Sequence, residues 1–251
     1  MSNDKIVEKE RYDSRAKSLL KKLRDYKFGS LSVPITLRTP YLLYEKKIKE
    51  LVKSEFKVLE IGSGSGDHTL SLLNTGANIT ATDISSESLK LLKLKIKNYS
   101  NLKLKTQIAD IESLPFENES FDIVANAGSL SYGNYKKVDI EVRRVLKPNG
   151  LFICIDSLNN NPIYRLNRYV HYLKGSRSKM TLVNMPTMKR LEALNSNYSR
   201  LEIEYFGCIS FLMPIFSKLF GVKLSLRISD KIDNLFQIKK SAFKFVLVSK
   251  A

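Results

Sequence analysis

Short apolar runs alternate with amphipathic segments through the middle of the chain. The runs that predict β-strands cover residues 57–61, 78–84, 102–110, 121–127, 150–156 and 242–249. Apolar side chains recur at helical spacing between several of them, over residues 68–74, 86–98 and 135–146. Strands that alternate with helices at this spacing predict an α/β fold built on a doubly wound parallel sheet.

The segments on either side of this alternation have a different pattern. Residues 4–26 mix scattered apolar positions with dense charge, which predicts exposed amphipathic helices, and Pro40 marks the first turn of a further helix. The stretch after the fifth strand is too long for one crossover and predicts extra helices or strands. We therefore expect an N-terminal helical segment over the site at 1–56, a core at 57–156, a substrate-binding cap at 157–241 and a closing core strand at 242–251.

Composition narrows the class of protein. The chain has 251 residues, of which 43% are hydrophobic, as expected for one folded globular unit. Its two cysteines, Cys154 and Cys208, lie far apart in apolar surroundings, which predicts buried free thiols and no metal site. Neither a signal-type N-terminus nor an apolar run of about twenty residues is present, so we expect a cytoplasmic protein. The net charge of +17 indicates either an anionic partner or a general lysine coat.

The first predicted strand ends in an unusual run of glycines. The sequence VLEIGSGSGDHT places Gly62, Gly64 and Gly66 at alternate positions, directly before a helical segment. Backbone without side chains lets a ligand lie against the peptide groups at the carboxyl edge of such a sheet. A dinucleotide fingerprint has the spacing G-x-G-x-x-G. The G-x-G-x-G spacing, preceded by Glu60, favours a different adenosine ligand.

Two aspartates follow the next strands at positions suited to that ligand. Asp83 ends the second strand and can accept hydrogen bonds from both ribose hydroxyls, although an aspartate there can also cap a helix, a role open to Ser85 or Ser86. Asp110 ends the third strand and can accept a hydrogen bond from an adenine amine. Ile84 and Ile111 follow these aspartates and can enclose the adenine ring between them.

Five ordered motifs together resemble the class I S-adenosylmethionine-dependent methyltransferases. They are VLEIGSGSG, TATDIS, QIADIESLPF, FDIVANAGSLSY and VRRVLKPNGLFICID. The resemblance implies a Rossmann-like sheet of seven strands with the last antiparallel, and S-adenosyl-L-methionine as cofactor. It implies these cofactor-binding residues: Gly62, Gly64, Gly66, Asp83, Asp110, Asn126 and Ala127. To them we add Glu60, Ser63, Ile84, Ile111 and His68, of which His68 either contacts the cofactor or begins the helix.

Methyl transfer to an alcohol requires a proton acceptor near the transferred methyl group. Asp156 ends the fifth strand, Tyr132 follows the fourth, and His171 lies in the cap, so these three are the catalytic candidates. His171 stands between tyrosines and can equally be a structural residue. Whether a base is needed depends on the acceptor, because a phosphate or carboxylate oxygen is already nucleophilic.

The cap begins with a strongly basic stretch. Between Ser157 and Leu191 there are seven Lys or Arg and no acidic residue. This stretch forms either an anion-binding site or a solvated basic face. Helical spacing places three of its side chains on one face, and we add two from the N-terminal segment to give the predicted substrate-binding set: Arg38, Tyr41, Tyr132, Arg165, Arg168 and Tyr172. Its segments NPIYR and RYVHY, after an Asn-rich run, resemble the cap of methyltransferases for bacterial surface polysaccharides, which implies O-methylation of a small anionic, glycan-related substrate.

Three other functions remain open. A nucleic-acid methyltransferase would also be basic, but residues 126–129 read NAGS, without the Pro-Pro-aromatic motif of base-amine methylation, and no RNA-binding appendage is visible. A membrane-associated assembly module would use the apolar stretch 205–222, although packing against the cap or a dimer partner is favoured. A nicotinamide-dependent oxidoreductase leaves the later motifs unexplained. The chain is expected to be a monomer or a homodimer.

Overall fold

The alternating pattern folds into one mixed sheet flanked by helices. The computed structural model describes residues 3–20, 27–175, 178–195, 198–236 and 238–251. Within these residues the strands are β1 (Lys57–Ile61), β2 (Asn78–Asp83), β3 (Leu104–Ile108), β4 (Phe121–Ala127), β5 (Leu146–Ser157), β6 (Arg200–Phe206) and β7 (Lys244–Lys250). The helices are α1 (Asn3–Leu20), α2 (Thr39–Leu51), α3 (Thr69–Leu73), α4 (Ser86–Ile96), α5 (Tyr135–Val145), α6 (Pro162–Leu173), α7 (Lys179–Val183), α8 (Met188–Asn195) and α9 (Met213–Phe236).

The strand order creates a crevice at one edge of the sheet. The order is β3-β2-β1-β4-β5-β7-β6, with β1 to β5 parallel and β7 antiparallel to both of its neighbours. The direction of winding reverses between β1 and β4, which is where open α/β sheets bind ligands. The predicted Rossmann-like sheet of seven strands, with its last strand antiparallel, is confirmed.

Helices cover both faces of the sheet. Successive side chains of a strand point to opposite faces, so a central strand such as β1 has apolar residues on both sides that need to be covered. Val58 of β1 packs with Tyr44 and Ile48 of α2. The neighbouring Leu59 points the other way, into a cluster that includes Val142 of α5. The sheet is thus held rigidly on both sides, and its carboxyl edge is left for the site.

The strand that sequence analysis did not identify is β6. It lies at the sheet edge inside the stretch expected to form the cap, and it pairs with β7 from Arg200 to Phe206. Its first five residues, RLEIE, alternate between exposed and half-buried, as expected of an edge strand with one covered face. The predicted free thiols are confirmed, since Cys154 and Cys208 are both buried and unbridged. None of the described helices combines the length and apolarity that crossing a bilayer requires.

Candidate active site

A cavity of about 390 Å³ opens at the carboxyl ends of β1, β2 and β4. Its walls come from the glycine loop, from residues that follow β2 to β5, and from α1, which lies across the sheet edge. Lys244, at the start of β7, closes one side. A cavity of this size with convergent polar groups is suited to a small-molecule ligand.

The three loop glycines all adopt left-handed backbone conformations, with φ of +61° at Gly62, +54° at Gly64 and +80° at Gly66. A Cβ on Gly62 would overlap Ser129, and one on Gly66 would overlap Leu92 of α4. A Cβ on Gly64 would meet no atom within 4 Å. Two of the glycines therefore permit close packing, whereas Gly64 leaves bare backbone beside the cavity.

Asp83 fixes this loop from the end of β2. One of its carboxylate oxygens accepts a hydrogen bond from Gly64 N at 2.8 Å, and the other accepts one from Ser85 N at 2.8 Å. Burial raises the pKa of Asp83, and these N–H donors act in the opposite direction. The cap of α4 is Ser85, whose hydroxyl accepts from Ser88 N, so Asp83 does not have the capping role. Asp83 lines the cavity.

Asp110 lies on the same side of the cavity, with Ile84 and Ile111 in the adjoining wall. Its Oδ1 accepts a hydrogen bond from Glu112 N at 2.9 Å, and its Oδ2 forms an ion pair with Lys5 at 2.5 Å. The residue that sequence analysis assigned to adenine is therefore contacted by a side chain of the N-terminal helix.

Helix α1 covers the cavity through several polar contacts. Glu8 is buried and accepts a hydrogen bond from the Thr181 hydroxyl of α7 at 3.1 Å. The Tyr12 hydroxyl donates to that of Tyr132 at 2.5 Å. Lys5, Glu8 and Tyr12 of α1 were not among the sequence-predicted site residues, because nothing in the sequence of this helix shows which of its side chains face the sheet.

Aromatic, cationic and acidic groups line the opposite side of the cavity. The His68 ring stacks on Tyr41, with ring centroids 4.8 Å apart, and Lys244 Nζ lies 4.9 Å from the Tyr41 ring centroid. Burial lowers the pKa of His68 to about 4, so its imidazole is neutral at pH 7. Its Nδ1 atom has no hydrogen-bond partner among the described residues.

Lys244 is the residue of this group that sequence analysis missed. Its side chain is buried, and no carboxylate within the described part of the chain lies within 4 Å of Nζ. The hydroxyl of Ser157 accepts a long hydrogen bond from it at 3.4 Å. A lysine at the start of a closing strand carries no motif, so only the fold reveals its position.

Asp156, a predicted catalytic residue, also lines the cavity. It is buried, and its carboxylate accepts hydrogen bonds from Leu130 N at 2.9 Å and from Ser157 N at 2.6 Å. Burial raises the pKa of Asp156, and the Lys244 charge lowers it in part. The predicted Tyr132 and Tyr41 lie on the cavity wall as well.

Three of the predicted cofactor residues stand behind the cavity wall. Glu60 is buried and accepts a hydrogen bond from the Thr69 hydroxyl at 2.6 Å. Asn126 is buried and donates to Ile61 O at 3.3 Å. Gly66 packs against α4, as described above. Ser63, in contrast, lines the cavity, and its hydroxyl has no hydrogen-bond partner within the described ranges. Ala127, His68 and Gly62 also line it.

The predicted substrate-binding residues of α6 are not on the wall of this cavity. Arg165 and the catalytic candidate His171 are exposed, and Tyr172 is half-buried. Arg168 is buried, and its guanidinium donates hydrogen bonds to Leu158 O and Asn159 Oδ1, both at 2.9 Å. Helical spacing correctly placed these side chains on one helix but could not show which direction the helix faces.

Arg38 does not line the cavity but supports part of its wall. Its guanidinium donates hydrogen bonds to Ser30 O at 2.9 Å and to Val33 O at 3.4 Å. These contacts hold the 3-10 turn Gly29–Ser32 and the residues after it, of which Ser32 and Val33 line the cavity.

Comparison with known proteins agrees with this geometry. Residues 59–154 match the methyltransferase domain family Methyltransf_11. The demethylmenaquinone methyltransferase of Staphylococcus aureus is 29% identical over 200 residues, which cover 78% of this chain and 67% of that protein. A phosphoethanolamine N-methyltransferase of Haemonchus contortus, solved with S-adenosylhomocysteine, superposes with a TM-score of 0.57 at 14% identity, covering 83% of this chain and 52% of that one. The [4+2]-cyclase SpnF superposes with a TM-score of 0.60 at 15% identity over 96% of this chain and 94% of its own.

The described cavity fits the cofactor of that domain family. Bare backbone at Gly64, the carboxylates of Asp83 and Asp110, and the unpartnered Ser63 hydroxyl offer the open surface and the polar partners that an adenosine ligand needs. Within the described residues, no group of His, Cys, Asp or Glu is arranged to hold a metal ion. The matched domain, the sheet and the cavity at its switch point identify the chain as an S-adenosylmethionine-dependent methyltransferase.

Proposed function

We propose that the glycine-loop side of the cavity binds the cofactor. Asp83 would accept hydrogen bonds from the ribose hydroxyls, and Asp110 one from the adenine amine, with Ile84 and Ile111 enclosing the ring. The backbone at Gly62 and Gly64 would lie against the methionine part, which Ser63 can contact through its unpartnered hydroxyl. S-adenosylmethionine supplies an electrophilic methyl carbon on a sulfonium, so the protein mainly has to align the acceptor.

We propose that the acceptor is a small molecule with an anionic group, methylated on oxygen. The observation that carries this proposal is Lys244, a buried ammonium on the cavity wall without a carboxylate within 4 Å in the described chain. A buried charge is costly unless a partner offsets it, and an anionic substrate would be such a partner. Its placement over the Tyr41 ring limits where that group can lie.

Asp156 is the proposed proton acceptor for a hydroxyl substrate. It lies on the same wall as Lys244, and its raised pKa makes it a stronger base than an exposed aspartate. Two backbone N–H donors hold its carboxylate in place, so the proton would pass to a fixed position. Tyr132 and the neutral His68 would help to exclude water and orient the acceptor.

Within this class we propose a sugar, nucleotide-linked or phosphorylated glycan precursor as the substrate. The support is the Lys244 position, the net charge of +17 and the resemblance of the basic α6 stretch to surface-polysaccharide methyltransferases. The exposed Arg165 of α6 is outside the cavity and would contact only the distal part of a long substrate. We also propose a cytoplasmic location, which suits two buried free thiols.

A second candidate is an apolar ring acceptor. The match to a demethylmenaquinone methyltransferase extends over 200 residues and so reaches beyond the core at 57–156. Part of the cavity wall is aromatic or apolar, with Tyr12, Tyr132 and Met185 among its residues. Such an acceptor would not need Lys244, and this difference separates the two candidates.

The test is a methyl-transfer assay with paired acceptors and a lysine variant. Phosphorylated sugars and nucleotide sugars would be compared with their uncharged counterparts and with a demethylated quinone. The proposal expects turnover of an anionic acceptor, whose KM rises at least about tenfold in Lys244→Met and less in Lys244→Arg, with unchanged S-adenosylhomocysteine affinity. Lys250→Met, on the same strand, is the matched control. Turnover of only the quinone, or equal KM values in the parent and Lys244→Met, would reject the anionic acceptor.

A further inference from the structure

The longest helix carries an apolar and basic surface on its outer side. Five exposed apolar side chains lie close together in the first half of α9, with two lysines among them. We call this set the α9 surface: Ile215, Leu219, Phe220, Val222, Leu224, Lys218 and Lys223. Leu219 is 68% exposed and Phe220 is 52% exposed, which is unusual for large apolar groups so close together.

The α9 surface spans an interruption of the helix. Gly221 has φ +74° and ψ 158°, so the helix is interrupted there, and no atom would lie within 4 Å of a Cβ at that position. Phe220 and Val222 flank the interruption and are both exposed. The interruption therefore leaves both side chains open to whatever contacts this side of α9.

The opposite side of α9 is anchored to the protein. Asp233 accepts hydrogen bonds from Gly207 N at 2.7 Å and from Cys208 N at 3.0 Å, and Asp230 accepts one from the Thr39 hydroxyl at 2.9 Å. These contacts fix the segment of α9 after Gly221, and the segment before it begins at the buried Met213. Sequence analysis favoured packing of this stretch against the cap or a dimer partner, and the described residues of the cap do not cover the α9 surface.

The charge around this surface indicates its partner. Residues 205–229 contain three basic and no acidic residues, and the whole chain has a net charge of +17. A two-fold contact with a second copy would bring like charges together, with no acidic side chain in this stretch to pair with them. An anionic bilayer satisfies both features, because its headgroups attract the lysines and its acyl boundary accepts the apolar groups.

We propose that the α9 surface docks this methyltransferase on anionic phospholipid membranes, with Leu219, Phe220 and Val222 entering the headgroup boundary. The contact is peripheral, since no described helix can span a bilayer. The inference is independent of the acceptor, and it does not use the cavity residues.

Vesicle co-sedimentation tests the proposal with phosphatidylglycerol and phosphatidylcholine vesicles. We expect binding to the anionic vesicles at least about tenfold tighter than to the neutral ones, weakening as salt rises. Leu219→Glu/Phe220→Glu and Lys218→Glu/Lys223→Glu should each reduce this binding at least about tenfold.

Matched controls place the same changes at exposed positions elsewhere. They are Leu94→Glu/Ile140→Glu and Lys103→Glu/Lys105→Glu, which should bind vesicles as the parent does. Equal binding by all variants, no binding by the parent, or a parent dimer that Leu219→Glu/Phe220→Glu converts to a monomer would each overturn the proposal.

A second measurement uses the unaltered chain, so that it does not depend on how the variants fold. Hydrogen–deuterium exchange over residues 214–224 should slow when phosphatidylglycerol vesicles are added and stay unchanged with phosphatidylcholine. Absence of protection in this segment, with vesicles bound, would assign membrane contact to another surface and refute the inference.

Discussion

Replacing Glu60 by glutamine tests whether a buried carboxyl behind the glycine loop destabilises the cofactor-free protein. The Glu60 side chain is enclosed, and its Oε2 accepts a hydrogen bond from the Thr69 hydroxyl at 2.6 Å. Burial raises its pKa from 4.5 to about 7. Glutamine has nearly the same shape and keeps an oxygen for the Thr69 hydroxyl, but it cannot ionise.

The magnitude follows from the two pKa values. The folded protein holds the Glu60 proton up to about pH 7, whereas the unfolded chain releases it near 4.5. The folded state therefore binds more protons in this window, and stability is lost as pH rises from 4.5 to about 7. At about 1.4 kcal/mol per pKa unit, the loss is about 3 kcal/mol at pH 8 and under about 1 kcal/mol at pH 5.

Denaturant unfolding of the cofactor-free chain at pH 5 and pH 8 is the assay. Glu60→Gln should exceed the parent by about 2 to 3 kcal/mol at pH 8 and by much less at pH 5. Glu55→Gln, at an exposed glutamate, is the control and should change neither value by more than about 0.5 kcal/mol. A stability difference between Glu60→Gln and the parent that is the same at both pH values would refute the reasoning, because it could not come from ionisation.

The remaining predictions concern the cavity. Gly64→Ala should lower the free energy of unfolding by about 1 to 2 kcal/mol, because of the positive φ alone, and should weaken S-adenosylhomocysteine binding. Gly66→Ala should unfold at a clearly lower denaturant concentration, because its Cβ would overlap a side chain of α4. Asp83→Asn should weaken S-adenosylhomocysteine at least about tenfold in calorimetric titration, and parent-like affinity would reject its ribose role. Lys5→Ala should tighten the same ligand by releasing Asp110 from its ion pair, and weaker binding would show that Lys5 assists the cofactor.

The fold could be predicted because its signals are local. The run KVLEI gave β1 with its observed bounds, and the three positive-φ glycines after it marked the loop that turns from β1 toward α3. Strand β6 was missed because RLEIEYF is a short edge strand with charged residues on its exposed side. Periodicity identifies an element but does not tell which other element it will pair with.

The site could be predicted only where a residue's position follows directly from a strand end. Asp83, Asp110 and Asp156 lie on the cavity wall because parallel strands bring their carboxyl ends to one edge. Arg168 and His171 were expected in the site from residue type and spacing, but the orientation of α6 depends on tertiary contacts such as Arg168 with Leu158 O. Lys5 and Lys244 are far apart in the sequence, and that both line the cavity could be seen only from the complete fold.

The position of α1 across the cavity has a consequence for turnover. The same helix contacts Asp110 on the cavity wall through Lys5 and Thr181 of α7 through Glu8, so one element links the cavity wall to the region after β5. With the cofactor bound as proposed, we expect exchange of spent cofactor for fresh cofactor to require this helix to move away, and chemistry on the bound pair to be faster than the exchange. A rapid first turnover followed by a slower steady state would be the kinetic signature of that arrangement.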